Sequence, residues 1–303
     1  MISLLWHYGL ALLVWPGLFG AAALGFFYQW TARKLMARLQ GRRGPPFYQP
    51  FFDFMKLLGK STVIPQGANR TLFLALPFLS VCATVFGLAM VPVPGNVIRS
   101  FPGDVVLLLY LLEMPVLADV LAGYVSRSIY GQVSAMREAV MSLAYNLPFL
   151  AAVIAMAQNA HSFRLGALHS SHFGIVTLLA GIAFLIAIPA RLKSNPFSIP
   201  NAEQEIGPGA HIEYNGVPLA MFELSHALEI GLLFDVFFVL FVPQLSNPVA
   251  SVAVYLVTGF WLIALVTLTA ALTARLTVSR AFRFYWVWGG LAAAAALAVA
   301  MVG

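Results

Sequence analysis

Six acidic side chains stand in stretches that are otherwise apolar: Glu113, Asp119, Glu138, Glu223, Glu229 and Asp235. A charge in the core of a bilayer costs about 3 kcal/mol or more, so carboxylates there face a bundle interior or a hydrated cavity. Taking a carboxyl out of water favours its proton-bearing form, which suits it to reversible proton binding. The chemistry these residues point to is the movement of protons or other ions. Glu223, Glu229 and Asp235 follow one another at six-residue steps. Each step turns a helix by about 240°, equivalent to 120° the other way, so the three do not share a face. They must work with groups on other helices, such as Glu113 and Asp119. His226 sits between the first two and could relay protons. For any one of these residues the alternative is a packing role, bonding kinked backbone or a neighbouring helix. That alternative weakens for the whole set, because so many costly groups are rarely kept for packing alone.

The elements that must position them are membrane spans. The chain has 303 residues, 61% hydrophobic and 9% charged, with a mean hydropathy of +0.87. A water-facing domain carries roughly 25% charged residues. Lipid supplies the missing solvent. Apolar stretches of spanning length fall at about 3–30, 71–92, 104–125, 138–160, 172–190, 218–242, 249–274 and 284–302. The expected fold is all-α: a polytopic bundle of about eight transmembrane helices, forming a single integral membrane domain over 1–303. Pro16, Pro77, Pro115 and Pro148 fall inside spans and should kink them. The first stretch, Ile2 to about Trp30, is too long for a signal-peptide core and has no basic start, so it reads as a retained span.

The loops alternate sharply in charge. Arg33, Lys34, Arg38, Arg42, Arg43, Lys56, Lys60 and Arg70 lie in the first loop. Arg127, Arg137, Arg191, Lys193, Arg275, Arg280 and Arg283 fall on the same side. Of the 17 Lys+Arg, only Arg99 and Arg164 lie opposite. The positive-inside rule puts the basic side in the cytoplasm and both termini outside, in a cell membrane. The net charge of +6 then reflects topology and anionic lipid, with no nucleic-acid partner implied.

Within the first loop, PFYQPFFDFMKLLGK places Gln49, Asp53, Lys56 and Lys60 on one helix face, with Phe and Leu covering the rest. This reads as an amphipathic helix lying in the cytoplasmic interface; a lid helix buried against the bundle is the alternative. NAEQEIGPGAHIEYNG collects Glu203, Glu205 and Glu213 on the basic side, in a loop shaped by Gly207, Pro208, Gly209 and Gly216. Such a loop could form a docking surface or a proton entry. His161, His169 and His172 fall in an external loop with no other ligand type and read as solvated. The single cysteine, Cys82, cannot hold an iron–sulfur cluster or a structural zinc, so this chain is expected to carry no cofactor.

Several motifs are similar to the complex I subunit 1 family. ARKLMARLQGRRGPPFYQPFFDFMKLL (Ala32 to Leu58) resembles that family's first cytoplasmic loop. NPFSIPNAEQEIGPGAHIEYNG (Asn195 to Gly216) resembles its acidic loop, SAMREAVMSLAYN its fourth span, and ARLTVSR its last loop. RRGPP running directly into YQPFFDFMKLL, together with REA and FELSHALE, resembles the energy-converting hydrogenase branch, which includes formate hydrogenlyase-type complexes. The chain departs from complex I at Ala32, Asn146 and His226, where that family usually or often has Glu. Those departures weigh against a quinone chamber and against a complex I-like acid path.

The resemblance implies a membrane anchor that couples electron transfer and hydrogen evolution in a peripheral arm to proton or sodium translocation. It implies iron–sulfur clusters and a nickel–iron centre in partner subunits. Those partners would be hydrogenase-like large and small subunits, an iron–sulfur subunit and antiporter-like membrane subunits. By the same resemblance, Arg42, Arg43, Asp53, Lys56, Glu203, Glu205, Glu213, Tyr214, Arg275 and Arg280 form the redox-module interface. Arg275 and Arg280 would offset the acidic loop's carboxylates, and Glu223 would start the intramembrane path. The alternative is the quinone-site membrane subunit of a complex I-like respiratory dehydrogenase. A stand-alone secondary transporter is a third reading, but the sequence shows no inverted repeat to support it. The electron donor and the choice between H⁺ and Na⁺ stay open.

Overall fold

The computed structural model describes residues 12–96, 100–169 and 174–302 together with Gly9, apart from the side chains of Glu203 and Val302. Among the described residues the regular structure is entirely helical. In chain order the helices are α1 (Leu18–Leu39), α2 (Gln49–Leu58), α3 (Arg70–Met90), α4 (Asp104–Val125) and α5 (Ile129–Asn159). There follow α6 (Leu165–His169), α7 (Ile175–Arg191), α8 (Glu203–Ile206), α9 (Gly216–Phe241) and α10 (Pro248–Leu272). Finally α11 (Val278–Phe284) continues through a π-helical stretch, Tyr285–Gly289, into α12 (Gly290–Val302).

Helices α3, α4, α5, α9, α10 and the continuous segment Val278–Met301 are long and apolar enough to cross a membrane, and α7 is a shorter apolar helix. Helix α1 has the length, but its last turns carry Arg33, Lys34 and Arg38. Each of the eight expected stretches thus holds a helix, with shifted ends, and six of these helices have spanning length and apolarity. Helix α1 runs to Leu39 because RKLMARL is built from good helix formers. Helix α5 begins at Ile129, so Glu138 stands well inside it and does not open it. Pro16 lies in a bend between the helical residues 12–13 and α1, the interruption expected of a proline within the first stretch. Residues before Gly9 in the first predicted span lie outside the described residues, as do Arg99 and His172.

Local chemistry explains where helices begin. Asn69 Oδ1 accepts from Leu72 N at 3.2 Å to cap α3, and Asn247 Oδ1 accepts from Val249 N at 3.0 Å ahead of Pro248 in α10. Helix α9 is the axis of the bundle: 94% of its most apolar window is buried. It packs against α1, α2 and α3. The closest approach is at Gly25 of α1, where a Cβ would fall on the Ala227 carbonyl of α9. Glu229 and Asp235 thus lie buried at the centre of the fold, whereas Glu223, near the start of α9, is exposed.

Helix α2 presents Phe51, Phe52 and Met55 outward, continuing the exposed Phe47 and Tyr48. Its polar side turns toward α1: Gln49 Nε2 donates to Asp53 Oδ1 at 2.8 Å, and Arg33 Nη1 reaches Asp53 Oδ2 at 3.3 Å. An exposed aromatic face on a helix whose Asp53 is held by α1 and whose Lys56 stays exposed suits a position in the membrane interface.

Candidate functional site

The site is built where α7 ends. Ser194 N donates to Pro189 O and Lys193 N to Ala190 O, both at 2.9 Å. These bonds close the helix in a Schellman turn. Its left-handed position is usually glycine, yet Lys193 occupies it at φ +50°, at a cost of about 1 kcal/mol. The turn aims two basic side chains into the bundle in different directions.

Arg191 points toward α4 and α5. Its Nη1 donates to Glu113 Oε1 at 2.7 Å and Asn146 Oδ1 at 3.2 Å, and its Nη2 to the Leu112 carbonyl at 2.6 Å. Asn146 Nδ2 donates to Glu113 Oε2 at 3.0 Å. The guanidinium lies 4.6 Å over the Phe149 ring. The Arg191 side chain is fully buried, whereas Glu113 is 33% exposed.

Lys193 points the other way and pairs directly with Asp119. Its Nζ is also 3.9 Å from Glu138 Oε1. Each carboxylate has a second partner. His211 Nε2 lies 3.0 Å from Asp119 Oδ1, and the Tyr145 hydroxyl donates to Glu138 Oε1 at 3.5 Å. Burial alone would loosen the proton of Lys193, but the charges of Asp119 and Glu138 outweigh it and hold the ammonium above the ordinary lysine range. Burial and the Asp119 charge both push the Tyr214 hydroxyl upward. Glu138 Oε2 and Glu229 Oε1 are buried without a protein partner, and Glu229 lines a polar cavity where water can bond to it.

Three cavities meet at one carboxylate. The largest, about 590 Å³, is lined by Gln29, Arg33, Lys193, His226 and Arg275 among others, with an apolar wall from Ile230, Ile263 and Val266. A second, about 130 Å³, reaches Asp119, His211 and Glu229. A third, about 270 Å³, lies between α1 and α2 against Phe26, Asp53 and Lys56. Glu223 lines all three.

The fold therefore gathers Asp119, Glu223, His226 and Glu229 on the walls of the small cavity, with Glu138 across the Lys193 ammonium. Glu113 stands apart with Arg191. Asp235 belongs to a different nest, accepting from the Tyr255 hydroxyl at 2.7 Å. Lys193, His211, Arg191 and Asn146 are functional neighbours absent from the sequence-derived set. The RLK run at the end of a span carries the signal for two of them, but its charges read equally well as a topology marker.

The expected docking residues are dispersed. Arg42 and Arg43 are exposed, with Arg42 bonded to Gln40. Glu205 pairs with Arg137 at 2.7 Å. Arg275 Nε donates to Ser198 Oγ at 3.2 Å, and among the described residues neither Arg275 nor Arg280 has a carboxylate within 4.0 Å. Glu205 thus takes its counter-charge from α5, through Arg137, while Arg275 lines both the large cavity and a further cavity that it shares with Glu205 and Arg137. Glu213 is half-buried. Tyr214 turns inward, stacked on Phe73 at 4.0 Å, and the side chain of Glu203 is outside the described residues.

His161 is exposed, but His169 is not solvated. It is 9% exposed, its Nδ1 is 3.2 Å from the Val239 carbonyl, and its ring lies against Phe238. The return of α9 to that end of the bundle covers it. Burial lowers its pKa, and the Val239 bond offsets part of the effect. The unfolded chain then binds more protons than the folded one near pH 6.5. Stability should therefore fall as pH drops through that range. The acid loss in a thermal melt should be smaller in His169→Asn, and an unchanged pH dependence would remove His169 as its cause.

A family model described as NADH dehydrogenase matches residues 12–301. An NADH-quinone oxidoreductase H-type subunit of Syntrophobacter fumaroxidans is 30% identical over 257 residues, covering 78% of each chain. The corresponding NADH-quinone oxidoreductase chain of Syntrophotalea carbinolica is 32% identical over 236 residues, 71% of this chain and 72% of its own. Among solved structures, a chain of the membrane-bound sulfane sulfur reductase, an archaeal respiratory membrane complex, superposes with a TM-score of 0.88 at 30% identity, covering 98% of this chain and 99% of that one.

Proposed function

Because the chain belongs to the NADH dehydrogenase family, with H-type subunits of NADH-quinone oxidoreductases among its relatives, we propose that it seats a peripheral redox arm on the membrane and couples that arm to ion movement. In this reading the 590 Å³ cavity receives the head group of a membrane quinone. Glu223 passes protons between that cavity and the buried carboxylates. The observation that carries the reading is the position of Glu223 on the walls of all three cavities. The space between α1 and α2 supplies a way in from the interface, because α2 carries aromatic side chains on its outer face.

The basic side with Arg42, Arg43 and Arg275 faces the cytoplasm in this proposal, in the cell's inner membrane, with both termini outside. Glu113, one-third exposed at the middle of α4, is too costly to leave against lipid. A membrane-embedded partner of the antiporter-like kind would cover it.

A second reading is the hydrogenase type, with iron–sulfur and nickel–iron centres in the arm and only water in the cavity. Ala32 and His226 on the wall of the large cavity, where complex I usually or often has Glu, favour it. The purified complex with a short-chain quinone separates the two. Under the first reading, quinone reduction saturates, and Ala32→Trp, which projects an indole into the cavity, sharply lowers it while a soluble acceptor is still reduced. Absence of quinone reduction in an otherwise active complex would turn the assignment to the second reading.

A further inference from the structure

We propose that the Lys193 ammonium is a transferable counter-ion: it moves between Asp119 and Glu138, so that a proton arriving at His211 releases one from Glu138. The inference rests on the ion-path reading above and gives that path a mechanism. Its basis is a lysine held between two carboxylates, each with a partner to fall back on. Lys193 is paired with Asp119 and stands 3.9 Å from Glu138 Oε1. A shift of about 1 Å brings that second contact to hydrogen-bond length, within reach of a flexible four-carbon stem. When the ammonium leaves, Asp119 keeps His211 at 3.0 Å. When it returns, Glu138 keeps the Tyr145 hydroxyl at 3.5 Å.

The other charged groups around it are accounted for. Arg191 cannot substitute, being fixed by Glu113, Asn146 and the Leu112 carbonyl. Glu223, His226 and Glu229 line the small cavity beside Lys193 and deliver or remove the protons. Charge balances at both ends. In one state Lys193⁺ faces Asp119⁻, with His211 and Glu138 neutral. A proton entering His211 makes an imidazolium that neutralises Asp119, the ammonium crosses, and Glu138 gives up its proton. One proton enters and one leaves. The lysine stays charged throughout, because at least one ionised carboxylate, Asp119 or Glu138, faces it in each state. Its left-handed backbone, unusual for a residue with a side chain, directs the stem inward.

The test uses the assembled complex in vesicles, with Cys82→Ala removing this chain's one native thiol and a reagent-treated complex lacking the new cysteine as the control for thiols of the partner subunits. Lys193→Cys should lower ion movement per electron about a hundredfold, the scale of a lost proton-transfer group; because Lys193 also lines the large cavity, the rate of electron transfer is measured alongside and the loss is read from the ratio of the two. Aminoethyl methanethiosulfonate, which rebuilds a lysine-length ammonium on the cysteine, should restore that ratio, and the neutral methyl reagent should not. Should the cysteine variant fail to assemble, Glu138→Gln removes the second station and should cause the same loss with Lys193 still on Asp119. Normal pumping in either variant, or equal rescue by the neutral reagent, overturns the role of Lys193. A wild-type complex that moves no ions overturns the underlying reading first.

Discussion

Arg191→Leu should sharply reduce the amount of folded bundle, and adding Glu113→Leu should recover much of it. The single variant leaves the Glu113 carboxylate without the guanidinium 2.7 Å away. It also strips a donor from Asn146 and from the Leu112 carbonyl. Breaking a buried pair from one side costs about 3–5 kcal/mol, because a charge remains without compensation. Glu113 is one-third exposed, which eases the penalty toward the low end. Replacing both partners by apolar groups removes that penalty, and such double replacements are often neutral. The recovery stays partial, because the Leu112 carbonyl and Asn146 lose their partner in either variant. Thermal melts followed by size-exclusion of the detergent-purified chain would show the order: wild type, double variant, single variant. A single variant as stable as wild type would mean that water already carries the Glu113 charge. The experiment separates packing from function, because Arg191 lines none of the three cavities described.

The spans were legible because length and apolarity act locally. A run of about 20 apolar residues has few fates other than a transmembrane helix, and each predicted run holds a helix. The acidic residues were equally visible, since a charge in such a run is an anomaly in its own right. Pairing was not legible. Asp119 and Lys193 are 74 residues apart, and Glu113 and Arg191 are 78 apart. Nothing in helical spacing selects these matches over Glu113 with Lys193. The turn at Pro189–Ser194 makes the selection by sending adjacent basic residues in different directions. Lys193 in a left-handed conformation is the feature that does this, and a lysine at that position gives no warning of it. Asn146 shows the same limit. Read as the loss of a carboxylate, it suggested a gap in an acid path. In the bundle it is the bridge that holds Arg191 and Glu113 together. His169 failed for a related reason: its loop is polar, but α9 and the Val239 carbonyl cover it.

Glu223→Gln should cut ion translocation about a hundredfold while electron transfer to a soluble acceptor survives. The substitution keeps the shape of the side chain and removes only its ability to take up and release a proton. Its position decides the size of the effect. Glu229 and Asp119 are reached through the small cavity, whereas Glu223 also faces the large cavity and the space under α2. A proton moving from either of those spaces toward the buried carboxylates passes a wall that Glu223 and His226 share. His226 alone cannot replace it, because the third cavity touches Glu223 without touching His226. Asp235→Asn provides the contrast on the same helix. It alters a carboxyl bonded to Tyr255 and lining none of the three cavities, so translocation should remain near wild type. Dye-reported acidification in vesicles, with and without a sodium ionophore, measures both variants and identifies the ion. Equal losses in the two would mean that any carboxylate of α9 matters through its charge alone. A loss confined to Glu223 would locate the gate where the cavities join.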